Sequence, residues 1–212
     1  MGCGMGSSAA LVMSTLYALA HFFKLEIDPT RFLTLGREAE NLQHGYSSGL
    51  DLHLTLNGGC LRFQEGRVFK RNACNLPMTI VQTGIPEATT GQCVSFVAKH
   101  FKKTTIGEDF AAVTECFDKA LENNDIVTIQ DCIRNNYRLL VKIGVVPLKV
   151  QDFVNTIEKE GAAAKICGAG SIVGDKAGVV LIVSQKDLSS IAHNYGYRLQ
   201  QVNRDLHGTH IV

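Results

Sequence analysis

Glycine occupies every second position at the start of this chain, and a helix-forming run follows at once. Gly2, Gly4 and Gly6 alternate with Cys3 and Met5, and Ser7-Ser8-Ala9-Ala10 lead into an alanine- and leucine-rich stretch to about Phe23. The first backbone N–H groups of a helix lack intrahelical partners, and the helix dipole favours negative charge there. Glycines let an anion approach the backbone closely and permit positive φ. Ser7 and Ser8 add hydroxyls able to hold phosphate or a metal. The loop has no lysine before its serines, which excludes a Walker A loop, and its G-x-G-x-G spacing is not the G-x-G-x-x-G of a dinucleotide fold. The competing reading is a flexible terminus followed by a serine N-cap.

The remaining elements follow from local signals. Asp28-Pro29 marks a second helix start, carrying Phe32, Leu33, Leu35, Arg37 and Glu40. Gly45, Gly49, Gly58, Gly59 and Gly66 punctuate a stretch expected to hold turns and short strands. Met78 to Gln82 reads as a buried strand. Helices are expected over 87–103, 107–122, 126–143 and 150–159. In the third of these, Ile126, Ile129, Ile133, Tyr137 and Leu140 share one face. Two strands, 163–167 and 179–183, flank the loop 168–178, and a last helix near 188–193 precedes strand-like segments to Val212. Strands and helices without strict alternation imply an α+β fold. The polar, turn-prone 72–77 stretch places a domain boundary near residue 75.

Composition narrows the class. Hydrophobic residues make up 45% of the 212, enough for a core. The formal charge of +1 gives no global field to draw nucleic acid or anionic lipid. The seven cysteines are irregularly spaced with no C-x-x-C pair, as expected of reduced thiols in the cytoplasm. Cys116 and Cys132 read as small core residues. The apolar run 9–23 has no basic residue before it and is too short to span a membrane.

Four ordered segments then point one way. Gly4-Met5-Gly6-Ser7-Ser8-Ala9-Ala10 resembles the second motif of the GHMP kinases, G-L-G-S-S-A-A. Lys165-Ile166-Cys167-Gly168-Ala169-Gly170 resembles the third, K-x-T-G-A-G. Between them, residues 40–51 (ENLQHGYSSGLD) are similar to the signature E-x-x-x-H-G-x-P-S-G-x-D of the mevalonate kinase branch, and 83–89 (TGIPEAT) to its T-x-V-P-x-x-T segment. Ser47 stands where proline is usual. Gly84 and Glu87 stand where animal members carry basic residues, and the loop 171–178 is longer than the usual glycine run.

The resemblance implies a fold: a remnant of a ribosomal protein S5 domain 2-like N-terminal domain over 1–75, and a ferredoxin-like C-terminal domain over 76–212. It also implies an activity, transfer of the γ-phosphoryl of ATP to a small alcohol, mevalonate first. Another GHMP kinase substrate (phosphomevalonate or a sugar), or an inactive ATP-binding module, are the alternatives. Gly2, Gly4, Met5, Gly6, Ser7, Ser8 and Ala9 would bind the nucleotide, Ser8 and Glu40 would hold Mg²⁺, and Asp51 would orient or deprotonate the acceptor hydroxyl. His44, Thr83 and Thr89 would touch substrate, unless His44 is structural and the threonines merely end a strand and cap a helix. Gly168, Ala169 and Gly170 would support the phosphate loop, with Lys165 a solvated charge. Family members carry an N-terminal segment whose lysine stands beside the equivalent of Asp51. This chain is therefore expected to be truncated, to be nearly inactive alone, and to pair with itself or with that segment.

Overall fold

The computed structural model describes residues 4–72, 75–202 and 205–210, without the His44 side chain. Gly2, Cys3 and Cys74 lie outside the described residues. Two compact units emerge: residues 6–73 with 203–212, and residues 74–202 with 2–5.

In the first unit, helix α1 (Ser7–Phe22) begins on Gly6, which takes a left-handed conformation with φ 63°. The N-cap is thus a glycine and not a serine; Ser7 and Ser8 are already helical, and no side chain caps the first turn. Helix α2 (Pro29–His44) starts as its sequence dictates: the Asp28 side chain accepts from the N–H groups of Thr30 and Arg31 at 2.9 and 3.1 Å, and Pro29 occupies the first turn. Helix α3 (Leu50–Asn57) falls where turns and strands were expected. Leu50, Leu52, Leu54 and Leu56 alternate with polar residues, a strand-like period of two. The flanking glycines that suggest turns are its caps, Gly49 and Gly58, both at positive φ. Strands β1 (Cys60–Gln64) and β2 (Arg67–Arg71) form an antiparallel hairpin. Its turn residues Glu65 and Gly66 both have positive φ, which matches the right-handed strand twist.

Met13, Leu52, Ala9, Ala20 and Phe32 form this unit's core. The three helices converge on Gly36. A Cβ there would lie 2.8 Å from Met13 Sδ and 3.1 Å from Leu52 Cδ2, so the glycine sets how closely α2 can approach α1 and α3. Burying Met13 and Leu52 contributes roughly 1.5–3 kcal/mol each.

The second unit is a four-stranded antiparallel sheet covered by helices. Its strands are β3 (Met78–Gly84), β4 (Ala163–Ile166), β5 (Gly178–Val183) and β6 (Arg198–Gln201), in the order β4-β5-β3-β6. Register aligns Ile166, Val180 and Val81 in one row, and these residues enter the main core with Val150, Phe153, Val154 and Ile157 of helix α7 (Leu148–Lys159). Helix α4 (Thr90–Phe101) follows β3, and α5 (Ile106–Glu122) and α6 (Ile126–Lys142) form a helical hairpin. The short α8 (Ser189–Asn194) leads to β6. On α6, Ile129, Ile133 and Tyr137 are buried at spacings of four, as the apolar face requires.

Two residues depart from expectation. Cys116 is exposed and not in the core, whereas Cys132 is buried. The Cys132 thiol is pushed up to about 12, chiefly by burial and then by its hydrogen bond with Cys116. Lys165 is half-buried, not solvated, and burial lowers its pKa.

The β4–β5 connection depends on Gly170. It has φ 66°, and a Cβ would lie 2.1 Å from the Val145 carbonyl oxygen, which also accepts from the Ser171 N–H at 2.9 Å. Gly170→Ala is expected to destabilise the chain by about 3 kcal/mol or more, combining backbone strain with a backbone clash. Urea unfolding of the two forms measures it.

Candidate active site

In the first unit, three helices each bring one functional group to the same place. Ser8 lies in the first turn of α1, Glu40 near the end of α2, and Asp51 in the first turn of α3. The Ser8 hydroxyl donates to the Glu40 carboxylate, and the Gln43 side-chain oxygen lies 3.3 Å from it. Glu40 is only 7% exposed. Gly6 packs on Asp51: a Cβ on Gly6 would fall 3.3 Å from the Asp51 carboxyl carbon. Any side chain at residue 6 would therefore crowd the carboxylate as well as strain the left-handed backbone.

The electrostatics follow from this crowding. Burial raises the Asp51 pKa, and the nearby Glu40 charge raises it further. The first-turn position on α3 would by itself favour the ionised form, but desolvation and the like charge dominate. His53, two residues further along α3, has its pKa lowered by burial and then by Arg37. The Arg37 Nε–H donates to the Ser47 carbonyl at 3.0 Å, and the Ser47 N–H donates to Asn41 Oδ1 at 2.7 Å. Serine in place of proline thus keeps a backbone donor that the loop uses.

The oxygen donors Ser8 and Glu40 are hard ligands of the type Mg²⁺ prefers. Two donors fit an ion whose remaining positions are taken by phosphate and water. Among the described residues there is no cluster of three or more His, Cys, Asp or Glu able to hold a metal unaided. The cavity of about 660 Å³ beside Tyr17, His21, Asp28 and Phe32 includes none of Ser8, Glu40 and Asp51 and lies apart from this cluster.

The second unit holds Gly4, Met5, Thr83, Thr89, Gly168, Ala169 and Gly170. Gly4 lies against the β4–β5 turn: a Cβ on Gly4 would be 2.5 Å from the Cys167 carbonyl oxygen, and one on Gly168 would be 2.7 Å from Gly4 Cα. Met5 is exposed, and Ala169 is half-buried in the same turn as Gly168 and Gly170. Thr83 and Thr89 both bond to the backbone. The buried Thr83 hydroxyl donates to Gly178 O at 2.8 Å and accepts from Ala177 N–H at 2.9 Å. Thr89 caps α4 in a capping box with Gln92. His44 is the last residue of α2, and its side chain lies outside what is described. Gly2 does too.

Gln43, Arg37 and His53 were not assigned to the site from sequence, although Arg37 was placed on the second helix. Gln43 had a usable signal, since it stands three residues after Glu40 on one helix face. Arg37 and His53 had none, because their meeting depends on α3 being a helix.

Residues 1–59 match the GHMP kinases N terminal domain family. The mevalonate kinase of Thermococcus sibiricus is 30% identical over 184 residues, which cover 80% of this chain and 54% of that protein. The first 59 residues thus carry the likeness to a GHMP kinase N-terminal domain. The chain spans about half the length of the curated relatives it matches. Solved structures share its fold. Methanococcus jannaschii mevalonate kinase superposes with a TM-score of 0.77 at 23% identity, covering 94% of this chain and 64% of that one. A homoserine kinase from Cytophaga hutchinsonii superposes with a TM-score of 0.76 at 18% identity, covering 98% and 68%. Among the described residues, no helix is long and apolar enough to cross a membrane.

A raised Asp51 pKa means that the ionised carboxylate opposes folding at neutral pH, whereas the penalty is absent below its unfolded pKa. Asp51→Asn should therefore raise the melting temperature at pH 7. The gain should shrink as pH falls through the folded pKa toward the unfolded value of 3.8. Thermal melts across that range check the sign.

Proposed function

We propose that this chain carries the nucleotide, metal and base sites of an ATP-dependent small-molecule kinase, whose preferred acceptor is mevalonate. The observation that carries the proposal is the convergence of Ser8, Glu40 and Asp51 beside the uncapped start of α1. Phosphoryl transfer needs little covalent chemistry from the protein, and positioning with charge stabilisation supplies most of the rate. In this reading the N–H groups at Gly6, Ser7, Ser8 and Ala9 receive phosphate oxygens, with Gly4 and Met5 leading the loop in. Ser8 and Glu40 would hold Mg²⁺, which would neutralise charge on the phosphates. Asp51 takes the proton of the acceptor hydroxyl as its oxygen bonds to the γ-phosphorus and the bond to ADP breaks. Crowding by burial and Glu40 makes Asp51 a stronger base than an open carboxylate, closer to working pH.

Within this proposal residues 1–75 form the portion with the phosphate loop and base and 76–212 the ferredoxin-like portion, a reading supported by the order β4-β5-β3-β6 of the strands between residues 78 and 201. Gly168, which packs on Gly4, would support the phosphate loop, together with Ala169 and Gly170 of the same turn. The setting is the cytoplasm and isoprenoid precursor synthesis, with ATP and a free small alcohol as partners. Mevalonate is favoured by the 40–51 segment and by the named relatives; a fold shared with a homoserine kinase leaves the acceptor to experiment.

The test follows ADP release with mevalonate, phosphomevalonate, homoserine and galactose. Turnover on mevalonate above the others is expected. Turnover only on another alcohol overturns the substrate, and none on any overturns the activity of this chain. In an active form, Asp51→Asn should lower kcat about 10²–10⁴-fold while changing MgATP affinity little. The acid limb of the wild-type pH profile should lie above the ordinary carboxylate range.

A further inference from the structure

Helix α3 has eight residues, too few to persist in water unaided, yet its first turn carries Asp51. Its far end is fastened by a segment distant in sequence. After β6 the chain returns, and residues 205–210 dock on the C-terminal end of α3. The Thr209 N–H and hydroxyl both donate to the Thr55 carbonyl, at 2.9 and 3.0 Å. Thr55 is among the last four residues of the helix, whose carbonyls have no intrahelical donor. The Gly59 N–H donates to the Asp205 carbonyl at 2.8 Å. The Asp205 side chain fixes its own turn, accepting from the His207 and Gly208 N–H groups at 2.8 and 3.3 Å. Gly58 and Gly208 let the two backbones meet. A Cβ on Gly58 would lie 2.4 Å from Gly208 N, and one on Gly208 would lie 2.5 Å from Leu56 O.

We infer that residues 205–210 are a positioning clamp for Asp51: Thr209 and Gly208 hold the C-terminal end of α3 and so fix where its first turn meets Gly6 and Glu40. The lever is short. Thr55 and Asp51 are one helical turn apart, about 6 Å along the axis, so a tilt of about 10° displaces the carboxylate by about 1 Å. A misplacement of that size costs about 100-fold in a positioned reaction. The clamp's effect on catalysis rests on the reading of Asp51 as base; its effect on α3 does not.

Thr209→Val removes the side-chain bond at nearly constant shape, Thr209→Ser restores a hydroxyl, and Gly208→Ala drives a methyl against Leu56 O. Amide hydrogen exchange of residues 50–57 is measured first, because it needs no activity. Exchange in α3 should accelerate about tenfold or more in Thr209→Val, with α1 unchanged, and return towards wild type in Thr209→Ser. Unchanged α3 exchange in both Thr209→Val and Gly208→Ala would overturn the clamp. The second readout is the Asp51 carboxyl titration followed by carbon NMR, which should shift in Thr209→Val because the burial of Asp51 against Gly6, and then its distance to Glu40, change. An unmoved titration beside faster exchange would leave a stabilising strap and overturn the positioning role. In an active form, kcat should fall at least tenfold with KM for MgATP within about twofold, and the acid limb should move with the titration. If wild type phosphorylates no alcohol, the kinase reading fails, and exchange and titration alone decide the clamp.

Discussion

A nearly buried carboxylate, Glu40, sets the terms for the first unit. A charge taken out of water is costly unless donors compensate it, and Ser8 supplies one from the adjacent helix start. That contact requires α1 and α2 to approach closely, which Gly36 permits by presenting no side chain to Met13 and Leu52. It also places a second negative charge near Asp51, whose proton affinity is raised by burial first and by Glu40 second. One arrangement thereby brings the Ser8 hydroxyl and two carboxylates together.

Glycine governs the rest by permitting close approach. Gly6 meets the Asp51 carboxylate, Gly4 meets the turn at Cys167–Gly168, and Gly58 meets Gly208. Each contact places backbone where a side chain would otherwise stand. The uncapped start of α1 belongs to the same design: a serine N-cap would have occupied donors that the dipole leaves available for an anion.

Much of the fold was legible because its signals are local. Asp28-Pro29 starts α2, the spacing of Ile129, Ile133 and Tyr137 marks the buried face of α6, and the apolar run 179–183 marks a central strand. Helix α3 was not, because Leu50, Leu52, Leu54 and Leu56 alternate like a strand and only capping glycines and tertiary contacts make the segment helical. Strand β2, with Arg67, Lys70 and Arg71, carries too little apolar pattern to be seen alone. At the site, Ser8, Glu40 and Asp51 were named through a family resemblance; each by itself reads as an ordinary hydroxyl or surface carboxylate. Their meeting place, and the approach of Gln43 to Ser8, depend on helix packing that no short motif encodes.

If the proposed function holds, a divalent cation and the nucleotide phosphates would be held by Ser8 and Glu40 at the head of α1. Mn²⁺ with a non-hydrolysable ATP analogue reads this directly through paramagnetic broadening of assigned amide NMR signals. The account predicts broadening centred on Ser8, Glu40 and Asp51 that requires the nucleotide and is much reduced in Glu40→Gln. Broadening centred elsewhere in the chain, or unchanged by Glu40→Gln, would contradict it.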